Sequence, residues 1–369
     1  MTDFSDIHDE LRSVAVDLLA KDGVDWPLLV QAGWVGLDAP EDRGGAGATF
    51  AEVAVICEEL GRAAATTGYL GNAVLGVGAL LAVAPNRSRD LLLTEAVEGR
   101  TRVALALPGD LSPGEPAMPF AVAADGRVHG QAAFVPDAID AHRLLLPARD
   151  YAGNTVLADV GAGATVTGQP VLDRTRRLTT VAADGVEACD VWPLAEPQTL
   201  AQRAALAVAC DSLGVAQAML DATVSYTSMR RQFGRAIGSF QAVKHACADM
   251  LVAVSVARQL VTAALGTPDA VSIAKAKSFA CEAAVDIAGK AMQLHGGIGY
   301  TWESGVHTYL KRAALNRSLY GSPREHRNVL AMSFLRGIGQ YRRLTDDREG
   351  DPKCPSVPPR RWAHPSGST

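Results

Sequence analysis

The hydrophobic pattern divides the chain into two helical parts separated by a stretch of shorter period. In the first part, apolar residues recur at helical spacing over 6–20 and again over 50–63, with Thr49 at the position of an N-cap. Between these helices, 35–49 carries a proline and several glycines, which predicts a loop. Residues 1–100 are therefore predicted to form an N-terminal helical domain.

From about Thr101 the pattern changes to that of short strands. Short apolar runs bounded by Gly, Asp or Pro follow one another at 102–108, 120–123, 127–130, 142–146 and 154–159. Regular short runs with turn signals predict an antiparallel β domain, which we place at 101–198.

The helical period returns at Thr199. It predicts helices at about 199–230, 236–264, 268–294 and 306–337. Four long helices with short connections favour an antiparallel four-helix bundle, which we place at 199–343. The charged and then Pro-rich segment 344–369 is typical of a disordered tail. The predicted fold is mostly α, with a central β domain between two helical domains.

The composition of the chain disfavours several classes of function. A net charge of −5 disfavours nucleic acid as a partner, since such proteins usually present a basic face. The six cysteines are scattered without close pairs, which disfavours a zinc site or a disulfide framework and fits a reducing compartment. The acidic N-terminus lacks a signal-peptide pattern, and the most apolar run, 71–85, is short for a membrane span. We therefore expect a cytoplasmic protein without membrane, nucleic-acid or metal partners.

Two segments of the last domain stand out from this background. The first, Arg230-Arg-Gln-Phe-Gly-Arg-Ala-Ile-Gly-Ser-Phe-Gln241, lies where two predicted helices join. The second, Gln293-Leu-His-Gly-Gly-Ile-Gly-Tyr300, follows the third predicted helix. Taken singly, these residues have ordinary interpretations as a solvated helix end, a core aromatic and a helix stop.

Together, the two motifs and the domain order resemble the acyl-CoA dehydrogenase family. The resemblance implies that this chain binds FAD, usually that of a neighbouring subunit, through Arg230 at the pyrophosphate, Phe233 and Gln241 at the adenosine, and Gln293, Gly296 and Gly297 alongside. The residue chemistry agrees, because arginine offers phosphate a planar donor fork and glycine lets backbone N–H groups approach an anion.

The resemblance also implies a reaction. A carboxylate removes the α-proton of an acyl-CoA while the β-hydride passes to the flavin, and an electron-transfer flavoprotein takes up the electrons. Aligned on its glycine, Leu319-Tyr320-Gly321-Ser322 matches the family's Tyr-Glu-Gly-Thr segment, which includes the base. Ser322 is thereby expected at the cofactor. Tyr320, however, stands in place of the glutamate, and a tyrosine with a pKa near ~10 is a poor base at neutral pH.

Other family members carry the base on the first bundle helix. One such position falls on Ala204, which has no acidic group. Another, used in a branch that resembles FadE-like actinobacterial steroid-side-chain dehydrogenases, falls on Asp211. Its neighbours are mostly apolar, and a carboxylate in such surroundings is costly unless it is paired or functional. Asp211 is therefore a candidate catalytic base, and the alternative is a hydrogen-bonded Asp with a structural role.

The β domain also departs from the family. Neither 104–112 nor 133–137 matches the segments that usually contact the flavin ring, whereas Asp173-Arg-Thr-Arg176 resembles a common Asp-x-Thr-Arg segment. Both departures are explained if the chain is one half of an α2β2 complex whose homologous partner supplies the base and the ring contacts, for fatty or steroid-side-chain acyl-CoA. Two alternatives remain open: a homo-oligomer that uses Asp211, and a flavin-free scaffold or regulatory subunit.

Overall fold

The computed structural model describes residues 5–20, 24–114 and 117–335, and the predicted tail at 344–369 lies outside them. The N-terminal part is helical, with α1 (Ser5–Leu19), α2 (Trp26–Gln31), α3 (Phe50–Arg62), a π-helical segment (Tyr69–Val77) continuing as α4 (Gly78–Leu81), and α5 (Arg87–Val97). Thr49 caps α3 as predicted and forms a capping box with Glu52, which satisfies N–H groups at the helix start.

The middle of the chain forms a sheet of eight strands within the described residues: β1 (Val103–Leu105), β2 (Phe120–Val122), β3 (Arg127–Pro136), β4 (Arg143–Arg149), β5 (Thr155–Asp159), β6 (Thr165–Gln169), β7 (Leu178–Glu187) and β8 (Asp190–Pro193). The prediction of an antiparallel domain was wrong in one respect. Both β1 and β2 pair with β4 in parallel, so the sheet is mixed. Short runs and turn signals reveal strands and hairpins but not which distant strands become neighbours.

The sheet separates two apolar cores. Alternate strand residues, such as Leu105 and Leu145, face the helices and join the main core. Their neighbours, such as Ala104 and Leu144, face a smaller core that belongs to the β domain. This alternation is the period of two expected of a strand that is buried on both faces.

The C-terminal part consists of long helices: α6 (Gln198–Met229), α7 (Gln241–Gly266), α8 (Ala270–His295) and α9 (Val306–Ser318), with α10 over 323–335. Between α6 and α7 lies a small hairpin of β9 (Arg231–Gln232) and β10 (Arg235–Ala236). The mostly α fold with a central β domain is thus confirmed, but the predicted fourth helix at 306–337 is two helices. It breaks at Tyr320 and Gly321, whose φ angles of 55° and 93° are left-handed.

Helix α6 lies at the centre of the molecule. It crosses α3 so closely that a Cβ on Gly61 would meet the Asp211 carbonyl oxygen at 2.0 Å, and one on Gly214 would meet that of Glu58 at 1.8 Å. Among the residues that the structure describes, two helices, α6 and α7, have the length and apolar composition of a membrane span. In α6 that composition follows from burial, because 83% of the apolar window is inside the protein, whereas in α7 only 28% is.

Candidate functional site

The residues of the two sequence motifs meet at one end of the bundle. Arg230 directly follows α6, Gln241 opens α7, and Phe233 occupies the turn of the hairpin between these helices. Gln293, Gly296 and Gly297 lie at the end of α8. We call these six residues the bundle-end surface.

A ring stack joins the two halves of this surface. Tyr226, in the last turn of α6, stacks on His295, the last residue of α8, with ring centroids 4.4 Å apart. His295 Nδ1 also lies 2.7 Å from the Ala291 carbonyl oxygen, which fixes the ring on its helix. The stack holds Arg230 and Gly296 on one face, since each is at most four residues from a stacked ring.

The bundle-end surface is open and its polar side chains are uncommitted. Arg230, Gln241 and Gln293 are exposed, and within the described residues none of their side chains has a hydrogen bond or an ion pair. A Cβ built on Gly296 or Gly297 would meet no atom of the described chain within 4 Å. A guanidinium, two amides and bare backbone are donors that suit the phosphates and ribose of a dinucleotide, so these residues fit FAD.

The hairpin presents an aromatic side chain to solvent. Phe233 is 91% exposed, and its φ of 52° is left-handed, which a non-glycine residue seldom adopts. It makes an edge contact with Phe240 at 6.2 Å, and the Arg235 guanidinium lies 4.0 Å above the Phe240 ring. An aromatic side chain held this far out of the protein is typical of a surface that another molecule covers.

Asp211 lies elsewhere, buried in the middle of α6. Its carboxylate accepts hydrogen bonds from Arg312 Nε (3.0 Å) and Nη2 (2.5 Å) and from Asn316 Nδ2 (2.6 Å). The Arg176 Nη2 atom completes the set at 2.9 Å from Asp211 Oδ2. We call Asp211, Arg176, Arg312 and Asn316 the interior cluster.

The interior cluster ties the three parts of the chain together. Arg312 Nη1 donates to the Ala65 carbonyl oxygen in the N-terminal part and to Thr175 Oγ1 in the β domain, both at 2.9 Å. Arg176 and Thr175 belong to the Asp-x-Thr-Arg segment that the sequence singled out. That segment therefore serves domain contacts in this chain.

The electrostatics of the cluster are those of a structural ion pair. Burial alone would raise the pKa of Asp211, but the nearby Arg176 and Arg312 charges and the hydrogen bonds outweigh it and lower that pKa to about 2. A carboxylate with so low a pKa is a weak base. Its two oxygens are also occupied by four donor atoms, which leaves a substrate proton little access.

The turn at Tyr320, where the family's glutamate was expected, is held from three sides. Tyr320 N donates to the Gly109 carbonyl oxygen (2.7 Å), and His326 Nε2 donates to the Tyr320 carbonyl oxygen (2.9 Å). The buried Lys277 Nζ donates to the carbonyl oxygens of Asn316 (3.0 Å) and Gly321 (2.9 Å). These bonds satisfy carbonyl groups where α9 ends, and they fix the Tyr320 side chain in the interior.

Ser322 lies beside this turn, away from the bundle-end surface. It caps α10, and its Oγ and backbone N both donate to Glu325 Oε2, at 2.7 and 2.8 Å. Glu325 Oε1 accepts a further bond of 2.8 Å from Ser112 in the β-domain loop. The carboxylate of Glu325 thus links the Ser322 turn to the loop at 104–112 that departs from the family pattern.

Some of these residues were not predicted from the sequence. The helical pattern predicts Arg312 and Asn316 only as part of a long helix, and no motif includes Lys277 or Glu325. The signal that pointed to them was indirect: Asp211, in an apolar stretch, needed a partner. The sequence offered no means of choosing which of many cationic residues would supply it.

Comparison with known proteins identifies the family. Residues 7–100 match the N-terminal domain of acyl-CoA dehydrogenases, and residues 194–335 match their C-terminal domain. The chain belongs to the acyl-CoA dehydrogenase family, whose members are FAD-dependent oxidoreductases acting on CH–CH groups.

The relatives include acyl-CoA dehydrogenases of mycobacteria. The acyl-CoA dehydrogenase IpdE2 of Mycolicibacterium smegmatis is 36% identical over 309 residues, which span 81% of this chain and 84% of that protein. IpdE2 of Mycobacterium tuberculosis is 35% identical, over 81% of this chain and 83% of its own. In the solved ChsE4–ChsE5 complex of M. tuberculosis, a chain aligns with a TM-score of 0.77 and 25% identity, covering 96% of this chain and 99% of that one.

Proposed function

We propose that the chain is one subunit of a hetero-oligomeric acyl-CoA dehydrogenase and that its bundle-end surface holds the adenosine–pyrophosphate end of an FAD seated in a homologous partner subunit. The observation that carries the proposal is the set of exposed, uncommitted donors at Arg230, Gln241 and Gln293 beside open backbone. When bound, FAD accepts the hydride from the substrate. The residues of this chain position the dinucleotide and exclude water from it.

The catalytic base, in this proposal, belongs to the partner. In this chain Asp211 is engaged by Arg176, Arg312 and Asn316, and Tyr320 occupies the position of the expected glutamate. Burial raises the pKa of Tyr320 further above its ordinary value, so its hydroxyl keeps its proton at neutral pH. Neither group suits proton abstraction, whereas the donors at the bundle end suit a cofactor.

The outer face of α7 supports association with another chain. Leu251 and Val252 are 55% and 62% exposed, although buried residues run along the opposite face of the helix. A groove of about 510 Å³ lies between α7 and α8. Because α7 begins at Gln241, a partner covering this face would also reach the bundle-end surface.

The family and its relatives support a proposal for the substrate class. We propose a coenzyme A thioester of a fatty or steroid-derived acid, since one similar solved structure is described as a steroid acyl-CoA dehydrogenase variant, with a TM-score of 0.80 and 25% identity. Electrons would leave through an electron-transfer flavoprotein. The complex would work in the cytoplasm.

Co-expression tests the proposal. The full-length chain is purified alone and together with a homologous dehydrogenase chain as the candidate partner, and flavin absorbance, FAD per chain and acyl-CoA-dependent flavin reduction are measured. We expect little flavin in the chain alone. The complex should be yellow and active, with one FAD for every two chains.

Two results would contradict this proposal. A yellow, active oligomer of this chain alone would show that it is self-sufficient, and loss of turnover with retained flavin on Asp211→Asn would then identify the base. No flavin in any combination would indicate a scaffold or regulatory role.

A further inference from the structure

A patch of exposed aromatic and apolar side chains lies where the β domain meets the start of α9. Trp302, in the connection from α8 to α9, is 69% exposed, and Tyr300, two residues earlier, is 70% exposed. Leu172, in the loop between β6 and β7, is 84% exposed, and Arg174 of the same loop reaches the Trp302 ring. Together with Lys311 on α9, we call these five residues the aromatic patch.

The Trp302 ring is held in position by its neighbours. The Arg174 guanidinium carbon lies 5.8 Å from the ring centroid, and Lys311 Nζ lies 4.8 Å from it. The His307 ring contacts Trp302 edge-on, with the centroids 4.4 Å apart and the planes at 75°. Cation–π contacts at such distances are favourable. They orient the ring in the free chain, so less freedom is lost when a partner covers it.

These internal contacts leave most of the patch uncovered. A tryptophan that served only to join the β domain to α9 would bury its ring between them, whereas Trp302 remains largely in solvent. Large apolar side chains that are exposed side by side are uncommon on a monomer and mark sites of interaction. Trp, Tyr and Arg are also the residues that most often dominate the binding energy of protein interfaces. The composition of the patch is therefore that of an interface.

The charges around Trp302 favour an acidic partner. Within the described part of the chain, neither Arg174 nor Lys311 pairs with a carboxylate, and the contact of Lys311 Nζ is His307 Nδ1 at 3.4 Å. Glu303 is exposed nearby but forms no ion pair with either cation among those residues. Two cations and one carboxylate leave the patch with an excess of positive charge. A partner with carboxylates at matching positions would be attracted to it.

A protein segment fits the patch better than a small anion does. A phosphate or carboxylate ion would satisfy the two cations but would leave the three large apolar side chains in water. An acidic segment of a folded chain covers those side chains and supplies carboxylates as well. The homologous partner is well placed to do so. Trp302 follows Gly297 of the bundle-end surface by five residues, which span at most about 18 Å.

We propose that the aromatic patch is the contact at which the homologous partner subunit is held, with Trp302 buried against the partner and with Arg174 and Lys311 paired with carboxylates of an acidic partner segment. The inference rests on the proposed function for the identity of the partner. It goes further because it assigns two tasks to different residues: the aromatic patch holds the partner subunit, and the bundle-end surface holds the FAD of that subunit.

The test measures how tightly the full-length chain associates with the homologous chain of the complex, by biolayer interferometry with FAD in excess. Trp302→Ala should weaken association roughly thirtyfold or more, as expected when a dominant interface side chain is lost. Trp302→Phe keeps an aromatic ring and should lose less. Arg174→Glu and Lys311→Glu should each weaken association about fivefold or more, and each should make it less sensitive to salt between about 0.05 and 0.5 M.

Two matched controls lie outside the patch. Tyr151 is 78% exposed in the turn between β4 and β5, and Tyr151→Ala should leave association within about twofold of the wild type, because an exposed side chain outside the contact adds little to binding. Arg87 is exposed at the start of α5, and Arg87→Glu should likewise have little effect. Thermal unfolding of each variant alone confirms that it is folded before association is measured.

The outcomes separate this inference from the proposed function. Association of Trp302→Ala as tight as that of the wild type, or equal losses from Trp302→Ala and Tyr151→Ala, would overturn the inference. So would a homo-oligomer that Trp302→Ala dissociates while the complex with the partner persists, because a second copy would then cover the patch. A complex that depends on Trp302 but binds no flavin would contradict the proposed function alone. The absence of any complex would overturn both.

Discussion

Two arginines show how differently this chain uses the same side chain. Arg312 is 2% exposed, and its three guanidinium nitrogens make four hydrogen bonds to Asp211, Ala65 and Thr175. Arg230 is exposed at the end of α6, and its guanidinium has no partner among the described residues. The first arginine has its donors satisfied inside the fold, whereas the second has its donors available to a ligand.

The same contrast separates the two regions to which they belong. The interior cluster joins three parts of the chain with charged hydrogen bonds, and both oxygens of the Asp211 carboxylate are engaged within it. The bundle-end surface contributes little to the fold, because its side chains touch few groups of their own chain. We infer that a motif residue with uncommitted donors serves binding, and that a buried carboxylate whose two oxygens are both engaged serves stability.

The largest effect is expected from Asp211→Ala, which leaves Arg312 and Arg176 buried without their counter-ion. Removing one partner of a buried pair typically costs about 3–5 kcal/mol in the free energy of unfolding. Urea unfolding of the full-length chain measures it. Asp221→Ala, on the same helix, breaks a 2.9 Å pair with Arg62 in which both side chains are about half exposed, and should cost less than about 1 kcal/mol. Similar losses for the two variants would contradict the structural role of Asp211.

The dependence of stability on pH should also reveal the interior cluster, with a smaller effect than that of Asp211→Ala. The pKa of Asp211 falls from an ordinary 3.8 to about 2, so its contribution is present above about pH 4 and is lost as the pH falls towards 2. The shift corresponds to about 2 kcal/mol in full. The stability difference between the wild type and Asp211→Asn should therefore narrow between about pH 4 and pH 2, as measured by urea unfolding.

Asp137 provides a control of opposite sign for that series. Burial raises its pKa to about 6, so the folded state favours the protonated form and stability is lost as the pH rises from about 4 through 6. Asp137→Asn should remove this loss and gain stability relative to the wild type across that window. If the stability of Asp211→Asn and that of Asp137→Asn changed with pH at the same slope, the two carboxyl groups would lack the opposite pKa shifts that their contacts indicate.

At the bundle end, Arg230→Ala should weaken FAD binding roughly tenfold or more in the complex with the partner, because a charge-assisted contact to phosphate is lost. The stability of the chain should change little. Arg231→Ala, one residue along and also exposed, should leave FAD binding within about twofold. Flavin retention during dialysis and equilibrium titration measure the effect, and equal losses from both variants would place the phosphates elsewhere.

The sequence predicted the fold well where one physical signal dominated. The helix at 50–63 combines an apolar stripe with Thr49 and Glu52 as a capping box, and the structure has α3 at Phe50–Arg62. The break at Tyr320 was missed because its cause is not local. Lys277, more than forty residues earlier, donates to the Asn316 and Gly321 carbonyl oxygens and so stabilises a helix end that periodicity cannot predict.

The residues of the candidate site also differ in how far the sequence predicts them. The bundle-end residues were predictable from motifs, since the donors and glycines lie within short segments, although their role stays a prediction until binding is measured. The environment of Asp211 was predictable only as a choice between catalysis and pairing. What decides between them is the position of Arg312 and Arg176, which comes from the packing of α9 and the β domain against α6.

The smallest effects on stability are expected at two glycines, one within α8 and one just after it. These two positions should also separate most clearly a residue that serves the fold from one that serves cofactor binding. A Cβ built on Gly289, within α8, or on Gly297, just after it, meets no atom of the described chain within 4 Å. Gly289→Ala should stabilise the chain by up to about 1 kcal/mol, as alanine does inside a helix, and should leave FAD binding unchanged. Gly297→Ala should change stability by less than about 0.5 kcal/mol but weaken FAD binding severalfold, because its methyl group would lie between the backbone and the dinucleotide. Thermal unfolding and FAD titration of the complex measure both effects. Unchanged FAD binding in Gly297→Ala would show that the bare backbone there only ends a helix.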